Sequence, residues 1–189
     1  MLLKENENWK GSYYVDLREP CWTTRVTGEL VPAILAQGFN GVFLDTLDNP
    51  IELEHSDPAK YRGMKQAAAG MVREIRRRFP RITIMMNRAY ELLPGVEQSI
   101  DIVLGESVFA TYDFSKKTYH LVDREEYLQQ VKVLKQAKAR RPALRVLTLD
   151  YWNPADTKGL TRIYREERAN GFEPYVSTIE LDRVIREPR

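Results

Sequence analysis

The chain has 189 residues, 29 basic against 27 acidic, and 43% hydrophobic content, which suits one globular domain able to bury a core of its own. The near balance of charge gives no case for a nucleic-acid or membrane-surface partner. A single cysteine, Cys21, rules out an internal disulfide and a thiolate metal cluster, and His55 and His120 lack metal-ligand spacing.

In chain order, the opening "MLLKENENWK" lacks the apolar core of a secretory signal, so as written the chain reads as cytoplasmic, and no apolar run reaches the ~20 residues of a membrane span. Strands are expected at 13–18, 41–46, 82–87, 100–107, 145–150 and 174–178, where short apolar runs are bounded by polar or glycine residues. Helices are expected between them, at 22–37, 58–78, 124–139 and 155–169, with a shorter one near Ala89. The basic run "REIRRRFP" closes the second helix, where cations suit the negative end of the helix dipole. Strand and helix alternating through short links argue α/β architecture with a parallel sheet, in a single domain spanning 1–189. A weak repeat, "AQGFNGVFLDT" and "ANGFEPYVSTI", supports this: each reads as a helix end, a stop glycine, a Phe to pack under the sheet, then a strand.

Chemistry concentrates where strands give way to loops: Asp16 and Arg18, Asp45, Asn87 and Arg88, Glu106, Asp150 and Tyr151, and Ser177. Parallel α/β proteins form their ligand sites at these ends. Alternation pairs Phe43 with Asp45, Leu104 with Glu106 and Thr148 with Asp150 on shared faces. If those faces point inward, three carboxylates converge, and two facing carboxylates are what glycosidic cleavage needs. Other readings stand beside this one. Asp45 could cap a loop or helix, Glu106 could lie on the surface, and Asp150 could cap the helix after "YWNPAD" or pair with Arg88. Asp45 and Asp48 could instead hold a divalent cation with oxygens from "NPIELEHSD". Tyr112, Tyr151, Trp152 and Tyr175 are candidate stacking surfaces for sugar rings.

The opening "KENENWKGSYYVDLREPCW", then "GFNGVFLDTLD", "MMNRAYELLP", "DIVLGESVF", "VLTLDYWNPAD" and "GFEPYVSTIELD", follow the order seen in glycoside hydrolase family 114, with Lys4 where that pattern leads to Gly. The chain resembles this family, which comprises endo-α-1,4-polygalactosaminidases and related hydrolase domains. The resemblance implies a (β/α) TIM-type barrel, here lacking the first two βα units, whose open edges call for self-association or a partner. It implies Asp45 and Glu106 as the catalytic pair, with Asp48, Asn87, Arg88, Asp150 and Tyr151 binding substrate and no metal or other cofactor. The implied substrate is an α-1,4-linked galactosamine polysaccharide or oligosaccharide; its free amines suit the acids Asp45, Asp48, Glu106, Asp113 and Asp150. Family members are often secreted or periplasmic. The alternative is a non-catalytic carbohydrate-binding or assembly module that keeps the cleft.

Overall fold

A computed structural model describes residues 1–7 and 9–188. The chain divides into two compact units, Met1–Asp101 and Ile102–Arg189.

The first unit opens with strands β1 (Leu2–Glu5) and β2 (Tyr13–Val15), which pair antiparallel. The segment 13–18 is therefore not a strand of a parallel sheet. Its extended part stops at Val15 because Asp16 turns back on Arg18, accepting from the backbone N–H at 3.1 Å and from the guanidinium at 2.8 and 2.6 Å. The expected helix at 22–37 is present as α1 (Pro20–Arg25), a π-helical turn (Val26–Leu30) and α2 (Val31–Ala36). Next come β3 (Gly41–Leu44), α3 (Asn49–Ser56), α4 (Met64–Arg78) and β4 (Thr83–Asn87), then a 3₁₀ turn (Tyr90–Leu92) and α5 (Leu93–Val96). Strands β3 and β4 are parallel, with Val42 opposite Ile84 and Leu44 opposite Met86.

Helix α4 places Met64, Ala68, Val72 and Ile75 on one stripe, all fully buried, and this stripe is the centre of the unit's core. It starts later than the sequence suggested because Gly63, at φ 88°, breaks the chain before it. Its basic end is committed internally. Arg76 donates to the carbonyls of Ser99, Pro80 and Ile82 and to the Asp101 carboxylate, which also accepts from the Ile84 N–H. Arg77 pairs with Glu74. Arg76→Ala orphans several acceptors at once and is expected to cost ~2–3 kcal/mol, read as a lower urea midpoint at unchanged m. The exposed Arg77→Ala, whose solvent-screened pair with Glu74 contributes little, is the comparison, and equal midpoints for the two would refute the assignment.

The second unit contains β5 (Ile102–Glu106), a hairpin of β6 (Ala110–Asp113) and β7 (Thr118–Leu121), α6 (Arg124–Arg140), β8 (Arg145–Tyr151), α7 (Thr157–Ala169) and β9 (Glu173–Ser177). Strands β5, β8 and β9 run parallel in that order. Asp123 and Asp156 cap α6 and α7, accepting from the N–H groups of Glu125 and Gly159. The two repeat glycines, Gly38 and Gly171, both sit at positive φ after a helix end, as the pattern suggested. Phe172 then packs into the core at 4% exposure, whereas Phe39 remains at the surface.

Candidate active site

In the first unit the site grows out of the β3–β4 register. Leu44 lies opposite Met86, so the next residues, Asp45 and Asn87, leave their strands side by side. The Asn87 amide donates to Asp45 Oδ1 at 3.0 Å, and the Thr46 N–H donates to the same oxygen at 2.8 Å. Asn87 is buried and Asp45 is exposed, so a fixed amide orients a solvent-facing carboxylate. Both strands end in the same way. Thr46 follows Asp45 at φ 56°, and Arg88 and Ala89 follow Asn87 at φ 45° and 44°. Left-handed backbone at non-glycine residues is strained and gathers at functional positions.

Phe43, on the Asp45 face, is 51% exposed. With Tyr13, Tyr14 and Trp22 it lines a groove of about 400 Å³ that reaches Asp45 and Thr46. Asp48 is half-buried just before α3, and its carbonyl accepts from the Glu52 N–H. The stretch read as a source of cation ligands, "NPIELEHSD", forms α3 over Asn49–Ser56, so the carbonyls of its first turn are engaged in helical hydrogen bonds. Among the described residues no three His, Cys, Asp or Glu side chains gather as a metal site. Asp16 and Arg18 act on the scaffold: Arg18 bridges Asp16 to the carbonyls of Lys60 and Arg62, and this hydrogen-bonded guanidinium holds the Asp16 carboxyl below its usual range.

In the second unit Glu106 ends β5 opposite Leu149 of β8. Two residues on and facing the same way, Tyr151 donates its hydroxyl to Glu106 Oε1 at 2.5 Å. Tyr151 is only 4% exposed, so its ring is held by packing. Ser107 follows Glu106 at φ 55°, the same strained exit that follows Asp45.

Asp150 does not join Glu106. The pairing of Glu106 with Leu149 turns Asp150 to the opposite side of the β5–β8 pair, and it is 0% exposed. Its Oδ1 accepts from the N–H groups of Phe109 and Ala110, both at 2.8 Å. Burial pushes the carboxyl up to about 7 against the pull of those N–H groups. This corrects its placement among sugar-contacting residues: a buried carboxylate bonded to backbone cannot meet a ligand. The expectation that it caps the following helix also fails, since Asp156 does that. Asp113 is likewise committed to a turn, where the Ser115 hydroxyl and nearby N–H groups hold it well below the usual carboxylate range.

The chain matches the model of glycoside-hydrolase family GH114 over residues 1–189. It belongs to that family. This GH114 chain is also similar to the glycoside hydrolase domain of PelA from Pseudomonas aeruginosa, at TM-score 0.82 and 25% identity over 96% of this chain and 69% of that one. A variant of the same domain gives TM-score 0.83 at 23% identity, over 98% and 71%. An uncharacterised protein of Deinococcus radiodurans is 28% identical over 187 residues, 97% of this chain and 57% of that protein. The chain thus spans a little over half the length of that curated relative. The fold class is α/β of the TIM-barrel type, as the sequence led us to expect. No helix among the described residues is long and apolar enough to cross a membrane.

Two features of the GH114 chain escaped sequence reasoning. The β6–β7 hairpin carries a run of aromatic contacts, Tyr112 with Phe114 at 5.2 Å, Tyr112 with Tyr119 at 4.9 Å and Tyr119 with Trp152 at 6.5 Å. Tyr112 and Trp152 are thereby parts of one aromatic surface, whereas the Tyr175 hydroxyl oxygen accepts from the Ile185 N–H. The pairing of donors with acids, Asn87 with Asp45 and Tyr151 with Glu106, was legible only as neighbouring polar strand ends.

Proposed function

We propose that this chain cleaves α-1,4-linked galactosamine-containing polysaccharide with Asp45 and Glu106 as its two carboxylates, one protonating the leaving oxygen while the other attacks the sugar or activates water. One observation carries the reading. Of all the acids at the strand ends, these two share one construction: a carboxylate where the strand gives way to the loop, a left-handed non-glycine residue next, and a buried side-chain donor on one oxygen. Strain of this kind costs ~1–3 kcal/mol per residue, and a purely structural cap gains nothing from it.

Asn87 and Tyr151 are then positioning residues rather than sugar contacts. The polymer's ammonium groups suit Asp45, Asp48 and Glu106, and because the net charge is +2 that attraction is local. The aromatic groove beside Asp45 supplies apolar faces for sugar rings. Asp150 and Asp113 drop out of the acid lining because backbone and turn groups already use them.

The test is release of reducing ends from α-1,4-galactosamine oligosaccharides, fully acetylated and partly de-N-acetylated. Cleavage confined to the partly deacetylated chains is expected, with Asp45→Asn as the dead control. Binding of these oligosaccharides without cleavage would replace the hydrolase reading with a carbohydrate-binding module, which the exposed Phe43 face would also serve.

A further inference from the structure

We infer that Asp150 is a positioning residue for Glu106, holding from behind the strand the turn that carries it. The inference rests on the catalytic role proposed above for Glu106. The polypeptide leaves β5 at Glu106, bends at Ser107 with φ 55°, and runs through Val108, Phe109 and Ala110 into β6. Three fixings hold this bend. The Ser107 N–H donates to the Leu149 carbonyl at 2.8 Å. The Ser107 carbonyl accepts from the Gln130 amide of α6 at 3.2 Å. One Asp150 oxygen takes the N–H groups of both Phe109 and Ala110.

Successive N–H groups turned toward one point make an anion-binding concavity, and here the anion is a side chain of the protein. Consecutive residues of β8 therefore act on Glu106 from opposite faces. Tyr151 holds its carboxylate directly, and Asp150 holds the backbone just beyond it. Burial of a carboxyl is costly, and Asp150 is fully buried with its second oxygen, Oδ2, making no hydrogen bond among the described residues. A fixed turn behind the reacting group is the gain that offsets this cost, since a ~1 Å misplacement can lower a rate about 100-fold.

The test compares Asp150→Leu, Asp150→Asn and Gln130→Leu with the unaltered chain. Asparagine keeps an oxygen able to accept both N–H groups, and leucine removes it at similar volume. Asp150→Leu is expected to lower kcat on the oligosaccharide substrate about 100-fold with KM unchanged. Asp150→Asn should stay close to the unaltered chain, and Gln130→Leu should lower kcat by about tenfold. The Glu106 carboxyl titration, followed by carbon NMR, should move in Asp150→Leu and not in Asp150→Asn. A folded Asp150→Leu with unchanged kcat, or with raised KM at constant kcat, overturns the inference. If Asp150→Leu does not fold, Gln130→Leu with unchanged kcat and an unmoved Glu106 titration overturns it. An unaltered chain that cleaves nothing defeats the hydrolase reading alone; the Glu106 titration in the variants then decides the positioning role by itself.

Discussion

Glu106→Gln is expected to lower kcat on partly deacetylated α-1,4-galactosamine oligosaccharide by about 1,000-fold or more, with the thermal midpoint unchanged. Glutamine has the shape of glutamate, and its carbonyl oxygen can still accept the Tyr151 hydroxyl. Packing around the half-buried side chain is therefore preserved, and what is lost is a group able to ionise and to carry a proton. Tyr151→Phe separates orientation from chemistry. It removes the hydroxyl donor but leaves the carboxylate, so a loss of about 10- to 100-fold is expected. The order of the two variants is the informative quantity. Equal losses would make Tyr151 a participant in the reaction rather than a support. A Glu106→Gln chain that still turns over at the unaltered rate would remove Glu106 from the catalytic pair, whatever happens at Asp45.

Residues that were legible in the sequence share a physical cause. Asp45, Asn87 and Glu106 could be placed at strand ends because a charged or amide group closing an apolar run has few other addresses in a parallel α/β protein. Asp150 looked identical by this measure. Its face depends on the partner strand's register, and a shift of one residue turns a side chain to the other side. The pairing of Glu106 with Leu149 is a tertiary fact that no local pattern contains. Helix α3 was missed because "NPIELEHS" is short and mostly polar; what marks it is Pro50 in the first turn, followed by buried Ile51 and Leu53. The hairpin was missed because its turn has no glycine. Asp113 closes it through hydrogen bonds, and Lys117 takes the left-handed position at φ 54°. Strand β2 was placed in the wrong partnership because β1 in the charged opening segment gave no strand signal.

Glu167 is the buried group that sequence reading passed over, although its signal was present. Leu160, Ile163 and Tyr164 form the apolar stripe of α7, and Glu167 continues it one turn further on. The structure buries it completely, at 0% exposure. Burial first, and then the neighbouring Asp150 carboxylate, push its carboxyl up to about 9. The unfolded chain ionises this group near 4.5, whereas the folded chain keeps the proton until about 9. Across that window the folded state binds more protons, so stability must fall as pH rises, with the full penalty reached above the folded value. Asp150 adds a change of the same sign between 3.8 and about 7. Together the two are worth several kcal/mol, a large part of the ~5–15 kcal/mol that keeps a domain folded. Glu167→Gln removes the ionisation while keeping the shape of the protonated acid. It should therefore match the unaltered chain in urea unfolding at pH 4, below the unfolded value, and exceed it by several kcal/mol at pH 9. The remaining slope in the variant between pH 5 and pH 7 should then belong chiefly to Asp150. Parallel stability curves from pH 4 to pH 9 would show that Glu167 is not held neutral in the folded chain. Destabilisation of the variant at both pH values would instead mean that its side chain is a needed hydrogen-bond partner. A weakened second unit at alkaline pH would loosen the support behind Glu106 as well, because Asp150 is both Glu167's neighbour and the anchor of the turn at Ser107.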